Sequence, residues 1–241
     1  LECAIPEDRI ALHLNFVDLR RFPLRTPLPA RPARGVVFSN EQAYPHIAVI
    51  ESVCRQRGIT LEFLGGRDHQ TDDPGAALQN YDVAFAKGRS ALEALASGLA
   101  VVLSGPEGLG PMVRSEHFDV LRPLNFGLRN LRAPVDEATV HAALDAFDPD
   151  DARAVSNRLR READLESAVA GLVALYRVVR DEYGQAPSDP VQELRVAGEY
   201  LASVDTMYRD RIRAESAVAA REAEVRFEQR TADSRQNLRH K

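Results

Sequence analysis

Residues 34–183 predict an α/β domain built on a doubly wound parallel sheet, and a long C-terminal helical extension follows it. Three observations carry this expectation. Short apolar runs at 35–39, 60–64, 82–86 and 99–103 are separated by helical or polar segments. The runs are continuously apolar rather than alternating, as in strands covered on both faces of a parallel sheet. Two of them end where the chain must turn, at Gly65-Gly66 and at Lys87-Gly88.

The first 33 residues read as a connector. RFPLRTPLPARPARG, residues 21–35, holds four prolines and should be extended. Before it, residues 9–15 (RIALHLN) read as a short strand. After the strand at 35–39, Ser39 and Gln42 have capping-box spacing before a helix within 41–57. Pro45 suits only the first turn, so the helix should begin there. Ile47, Ile50 and Cys54 recur at helical spacing and Gly58 stops the helix. The strand at 60–64 exits through Gly65-Gly66 into a polar loop at 67–74. A short helix at 74–80, a strand at 82–86, a helix at 90–97 and a strand at 99–103 complete the alternation.

Residues 106–127 show little periodicity and read as a long loop, a feature usually functional in a compact domain. Residues 136–147 form an amphipathic helix with Asp136 as its cap, and Asp148-Pro149 opens another. Residues 165–183 carry Val169, Leu172, Val173, Leu175, Tyr176 and Val179 on one face and read as a closing helix packed on the sheet. Residues 184–190 (GQAPSDP) are a linker, and 191–229 form one long helix. Its Leu194, Ala197, Leu201, Val204 and Tyr208 follow a three-four spacing. That stripe belongs either to a solvated helix or to a docking helix for another domain or a second copy of the chain. The organisation is therefore 1–33 connector, 34–183 ligand-binding domain, 184–241 linker and helical tail.

Composition narrows the function classes. With 241 residues and 44% hydrophobic content, the chain can build one substantial core plus an appendage. A formal net charge of −5 gives no support for nucleic-acid binding, so any anion site must be local. Trp is absent, which excludes a carbohydrate platform built on that residue. Cys3 and Cys54 fit no metal-ligand pattern; Cys54 reads as a buried thiol, and nothing calls for disulfides, so a cytoplasmic location is expected. No apolar run of about 18 residues exists, so no transmembrane segment is expected. The chain starts at Leu1 rather than methionine, which points to a piece of something longer.

The chemistry concentrates in YDVAFAKGRSALEALASGLAVVLSG, residues 81–105. An apolar strand runs into Lys87-Gly88-Arg89-Ser90 and then a helix. Backbone amides at a helix start can meet a phosphate, with two cations beside them. Arg89 offers a bidentate grip on phosphate oxygens and Lys87 a point charge, so no metal is required. Each is weighed against a plain surface ion pair. Gly88 either lets backbone approach a ligand or only turns the chain. Ser90 is a helix cap or a phosphate ligand. Glu93, one turn further in, is placed to accept hydrogen bonds from a sugar ring, or simply favours the helix dipole. Gly65 and Gly66 end a strand on the same edge, with turn geometry as the plainer reading. Ser39 and Asn40 end the first strand there, with capping their first role. The glycine-rich GPEGLG, residues 105–110, could reach a cleft mouth. His117 is a weak candidate base, and His69 with Asp72-Asp73 matches no metal cage.

In order and spacing, these pieces resemble the donor-binding, carboxy-terminal domain of GT-B-fold glycosyltransferases, over about residues 5–183. IPEDRIALHLNFVDLRRF is similar to the segment that joins the two domains, through Asn15, Val17, Asp18, Leu19 and Phe22. TLEFLGG is similar to the second strand with its glycine exit, and YDVAFAKGRSALEALASGLAVV to the signature helix with Glu93-Ala94 and Gly98. The resemblance implies a Rossmann-like fold, half of a GT-B enzyme. It implies that Glu93 binds the donor ribose, and that Gly88, Arg89 and Ser90 meet the diphosphate. Many retaining members carry a second glutamate on this motif, where Phe85 stands here; that departure leaves an inverting or inactive relative open. The acceptor domain should precede the connector, so an N-terminal acceptor domain or partner chain is expected.

The expected function is glycosyl transfer from a nucleoside diphosphate sugar, with no cofactor beyond that substrate. A sugar-nucleotide epimerase and a non-catalytic binding or assembly module are the alternatives, the latter favoured by Phe85 and the long tail. A dinucleotide dehydrogenase is weaker, because the first strand leads into Ser39-Asn40-Glu41-Gln42 and not a glycine-rich turn. Self-association through the C-terminal helix is a further expected partner interaction.

Overall fold

The computed structural model describes residues 6–40, 45–66, 68–185 and 189–239, with side chains of the last helix described to 217 and at 221. The chain divides into two compact units, Leu1–Val179 and Arg180–Lys241. In the first unit the elements run β1 (Arg34–Phe38), α1 (Pro45–Gln56), β2 (Thr60–Leu64), α2 (Pro74–Leu78), β3 (Val83–Ala86), α3 (Gly88–Ala96), β4 (Ala100–Gly105) and β5 (Gly108–Met112). Short helical turns follow, among them α4 (Phe118–Leu121), then α5 (Glu137–Asp145), α6 (Pro149–Glu162) and α7 (Leu165–Gln185), whose last six residues belong to the second unit. The last helix, α8, spans Pro190–Arg239.

The sheet has five strands in the order β2-β1-β3-β4-β5. β1 pairs in parallel with β2 and β3, and β3 with β4. The order turns back between β1 and β3, which makes the gap beyond their carboxyl ends the topological switch point. Alternate residues of each strand feed two cores. Val37, Val83, Phe85 and Val102 pack under α1 and α5, with Ile47, Ile50, Val53, Cys54, Val140 and Leu144. Val36, Ala84, Ala86, Val101 and Leu103 pack under α2, α3, α4 and α6. Ala84 and Ala86 are small, so α3, whose Ala91, Leu92, Ala94 and Leu95 are buried, can lie close on β3.

The helix starts follow their chemistry. Asp136 makes a capping box with Thr139, and the Asp148 carboxylate accepts from the amides of Asp150 and Asp151 ahead of α6. α1 begins at Pro45, whose ring suits the first helical turn; Gln42, the other half of the expected capping box, lies outside the described residues.

Four expectations are corrected. The sheet is not wholly parallel: residues 105–112 are a hairpin that adds β5 antiparallel to β4, with Gly105 opposite Gly108. Gly and Pro in GLGPM hid this strand, which sits at the sheet edge where Pro is tolerated. Residues 9–15 are not a strand; outside a 3-10 turn at Glu7–Arg9 they are irregular, and only Val17 makes a bridge, to Asp164. Residues 115–130 are a chain of short helical turns, not open loop. α7 does not close the sheet, since none of its residues is buried and Tyr176 is 63% exposed. Val17 and Phe22 of the connector and Val155 and Leu159 of α6 are part of the core on that face of the sheet.

The connector is fastened rather than loose. Arg25 pairs with Asp82 at 3.1 Å, with both side chains 9% exposed. The second Asp82 oxygen accepts from the amides of Ala33 (2.9 Å) and Arg34 (3.0 Å). Further along, a Cβ on Gly75 would stand 1.8 Å from the Arg21 carbonyl oxygen, so α2 lies directly on connector backbone. Removing one partner of a buried ion pair typically costs ~3–5 kcal/mol. Asp82→Ala is therefore expected to lower unfolding free energy in urea by about that much, and Gly75→Ala by roughly 2 kcal/mol or more through steric displacement. A change under about 0.5 kcal/mol in either would show that the connector is not anchored in this way.

Candidate functional site

The carboxyl edge of the sheet gathers the ends of β1, β2, β3 and β4. α3 opens at Gly88, with Lys87 in the N-cap position and extended. Gly88 has φ +59 and open space where a Cβ would stand, so the backbone is bare at this point. Its amide donates to the Phe126 carbonyl at 2.8 Å, so the first amide of the helix is already used. The amides of Arg89 and Ser90 follow it, and by position they have no intrahelical acceptor. Ser90 is not the cap, contrary to one of its two expected roles, because the helix begins two residues earlier.

Both cations are held by carboxylates. The Lys87 ammonium lies 2.8 Å from Glu107 Oε2. Arg89 Nε lies 3.0 Å from Glu93 Oε1, one turn along the same helix. Lys87 is 19% exposed and Arg89 81%. Glu107 sits in the two-residue turn between β4 and β5, and its hydrogen bond with Lys87 holds its carboxyl below the usual range, with the charge of His46 adding to that. In sequence GPEGLG reads as a glycine-rich loop, in which Glu107 does not stand out. Its signal was the acid between Gly105 and Gly108, where a hairpin turn aims it back over the β3 exit.

Glu93 is only 13% exposed. Burial raises its carboxyl above the ordinary value, against the opposing pull of Arg89 and of the nearby Arg21 charge. Its side chain thus lies on the connector side of α3, neither in the apolar core nor fully in solvent.

Gly65 and Gly66 have their own local reasons. Gly65 has φ +103, and a Cβ there would meet the Ser39 carbonyl oxygen at 2.8 Å. The Gly66 amide donates to Asn40 Oδ1 at 3.0 Å. The pair joins the ends of β1 and β2, so close packing accounts for Gly65 and the Asn40 acceptor for Gly66. His69 accepts from the Gly65 amide through its carbonyl and lies against Phe63. Asp73 caps α2 through Ala76. His117 lies beyond β5, in a 3-10 turn beside Glu116, and shares an apolar cavity with Met112, Val120 and Ala143. Phe85, eight residues before Glu93, is 1% exposed in the core. Among the described residues no cluster of three or more His, Cys, Asp or Glu could hold a metal ion, and no helix is long and apolar enough to cross a membrane.

No protein-family model matches the chain, and no curated protein matches it in sequence. The site therefore has to be argued from its own chemistry.

Because the folded pKa of Glu93 is raised, its protonated form is favoured by folding. That contribution is present below the unfolded value and is lost as pH rises through the folded one. Glu93→Gln is expected to raise the urea midpoint at pH 7 and to leave it nearly unchanged at about pH 3.5. An equal gain at both pH values would mean that ionisation of Glu93 is not what weakens the fold.

Proposed function

We propose that this chain is the donor-binding half of a glycosyltransferase, holding a nucleoside diphosphate sugar at the carboxyl edge of its sheet. One observation carries the reading: at the switch point, a bare glycine backbone opens α3 between Lys87 and Arg89, with Glu93 one turn further along the helix. Transfer breaks the bond between the anomeric carbon and the diphosphate oxygen, and negative charge grows on that oxygen. The amides of Arg89 and Ser90 are fixed donors that need not reorganise as it does. Lys87 adds charge at the helix start, and Glu93 accepts from the ribose hydroxyls. Donor hydroxyls on Glu93 would offset the burial that now disfavours its ionised form.

The Glu107 carboxylate stands in the way and must release Lys87 to the diphosphate. Glu107 is 46% exposed, and such pairs are worth little, ~0.2–1 kcal/mol. Removing its charge should therefore help the ligand modestly. Titration calorimetry of the chain with uridine and guanosine diphosphates is expected to show binding of one of them. Glu107→Gln should bind roughly two- to fivefold tighter, the equivalent of ~0.5–1 kcal/mol. Glu93→Ala should bind at least tenfold more weakly, about 1.4 kcal/mol. If neither nucleotide binds, or Glu93→Ala binds like the original chain, the donor-site reading fails.

A non-catalytic binding module is the second reading, favoured by Phe85, whose burial in the core leaves no carboxylate there. Both readings share the nucleotide site and part on turnover. Both also belong to a cytoplasmic protein with an acceptor-binding or assembly partner.

The partner interaction proposed for α8 is a second copy of the chain. Leu194 is 79% exposed, Leu201 65% and Tyr208 63%, on the stripe that also holds Ala197 and Val204. A helix draws most of its stability from packing an apolar face, and each large side chain buried is worth ~1.5–3 kcal/mol. A three-four repeat is matched by another helix of the same repeat. Sedimentation velocity should find the chain dimeric or larger, and the double variant Leu194→Glu, Leu201→Glu monomeric with reduced helical circular dichroism. A monomeric original chain would remove this proposal.

A further inference from the structure

Arg122 is 5% exposed, the one arginine that is buried among the described residues. Its Nη1 donates to Asn125 Oδ1 at 3.1 Å and its Nη2 to the Asn15 carbonyl at 2.7 Å. Nε is buried and has no acceptor. Among the described residues no carboxylate lies within ion-pair distance of this guanidinium, although a buried charge without a partner is expensive. The group stays charged all the same, because arginine does not lose its proton in proteins.

The surroundings hold this cation in place. Asn125 and Phe126 both take left-handed backbone, φ 51 and 52, rare for residues with side chains. That conformation turns Asn125 Oδ1 onto both Arg122 and the Asn15 amide, 2.8 Å away. Beside the network lies a cavity of about 280 Å³, lined by His13, Asn15, Phe16, Arg122, Glu162 and Ala168 among others. Glu162 is the acid on its wall, and it is bound to Arg158 at 2.8 Å. Burial lowers the Arg122 pKa, with the Glu162 charge acting the other way.

A fixed cation with no carboxylate in direct contact, held beside left-handed backbone at a cavity of this size, can take an anion as its partner. We propose that the cavity binds a small oxyanion, a short carboxylate or a phosphate group, with Arg122 as its counter-charge. The planar guanidinium suits either group through paired donors. The cavity is small, about 280 Å³, a size that suits a small anion. The site is separate from the α3 opening and does not depend on donor binding there.

The test is calorimetric titration of the full chain with sodium acetate, sodium succinate and sodium phosphate at constant ionic strength. Arg122 also holds the connector, so its removal would confuse binding with folding. Two other variants avoid this. Ala168→Phe fills the cavity from α7, and Glu162→Gln removes the opposing charge. At least one anion is expected to bind with a Kd of about 1 mM or below. Glu162→Gln should tighten it at least twofold, and Ala168→Phe should abolish it with circular dichroism unchanged. Binding of a carboxylate alone identifies an organic acid as the ligand; binding of phosphate alone identifies a phosphate group. The proposal is overturned if no anion binds beyond the ionic-strength control, or if folded Ala168→Phe binds as tightly as the original chain, which would locate the anion elsewhere.

Discussion

Asp82 is the joint on which the arrangement of this domain depends. One carboxylate, at the amino end of β3, takes the Arg25 guanidinium on one oxygen and the amides of Ala33 and Arg34 on the other. It therefore binds the end of the connector to the start of β1 and both to β3. Those two strands flank the switch point. Their relative register, Gly35 against Val83, sets how Ser39 and Lys87 stand at the opposite edge. A side chain at the amino end of the sheet thus governs the geometry of a site at the carboxyl end, through two rigid parallel strands. Arg160 adds a second tie, donating to the carbonyls of Phe22 and Ala96 and so joining connector, α3 and α6.

The alternation of strands and helices was legible because each element carries a local signal. Apolar runs marked β1 to β4, and Pro45, Asp136 and Asp148 marked helix starts. What escaped was governed by distant contacts. β5 reads as glycine-rich loop, and only its pairing with β4, and of Leu109 with Ala133, makes it a strand. Residues 9–15 alternate like a strand but find no partner edge. The apolar face of α7 was legible as a pattern, but a pattern cannot say whether the space beneath it is vacant. Here Phe22 of the connector lies in the sheet's core and no residue of α7 is buried.

The candidate site divides in the same way. Lys87, Gly88, Arg89 and Glu93 are contiguous in sequence, so their neighbourhood on one helix end could be read directly. Their electrostatic state could not, because Glu107 arrives from a different turn and Phe126 from a loop far along the chain. Sequence reading counted two cations; the structure holds two ion pairs, each nearly neutral. This matters for affinity. An incoming anion would meet no standing positive field there and would have to displace a carboxylate, a condition that favours discrimination over raw strength.

One stretch of backbone joins the Arg122 network to the α3 opening. The Phe126 carbonyl holds the Gly88 amide, and the adjacent Asn125 side chain holds Arg122 and Asn15. Two successive left-handed residues are the only covalent separation between these contacts. Such a conformation persists only where its surroundings over-determine it, at a cost of ~1–3 kcal/mol per residue. The surroundings here are hydrogen bonds from the connector on one side and from the α3 opening on the other. The corner is thus a shared support, in which the connector, the loop and the helix start hold one another in position.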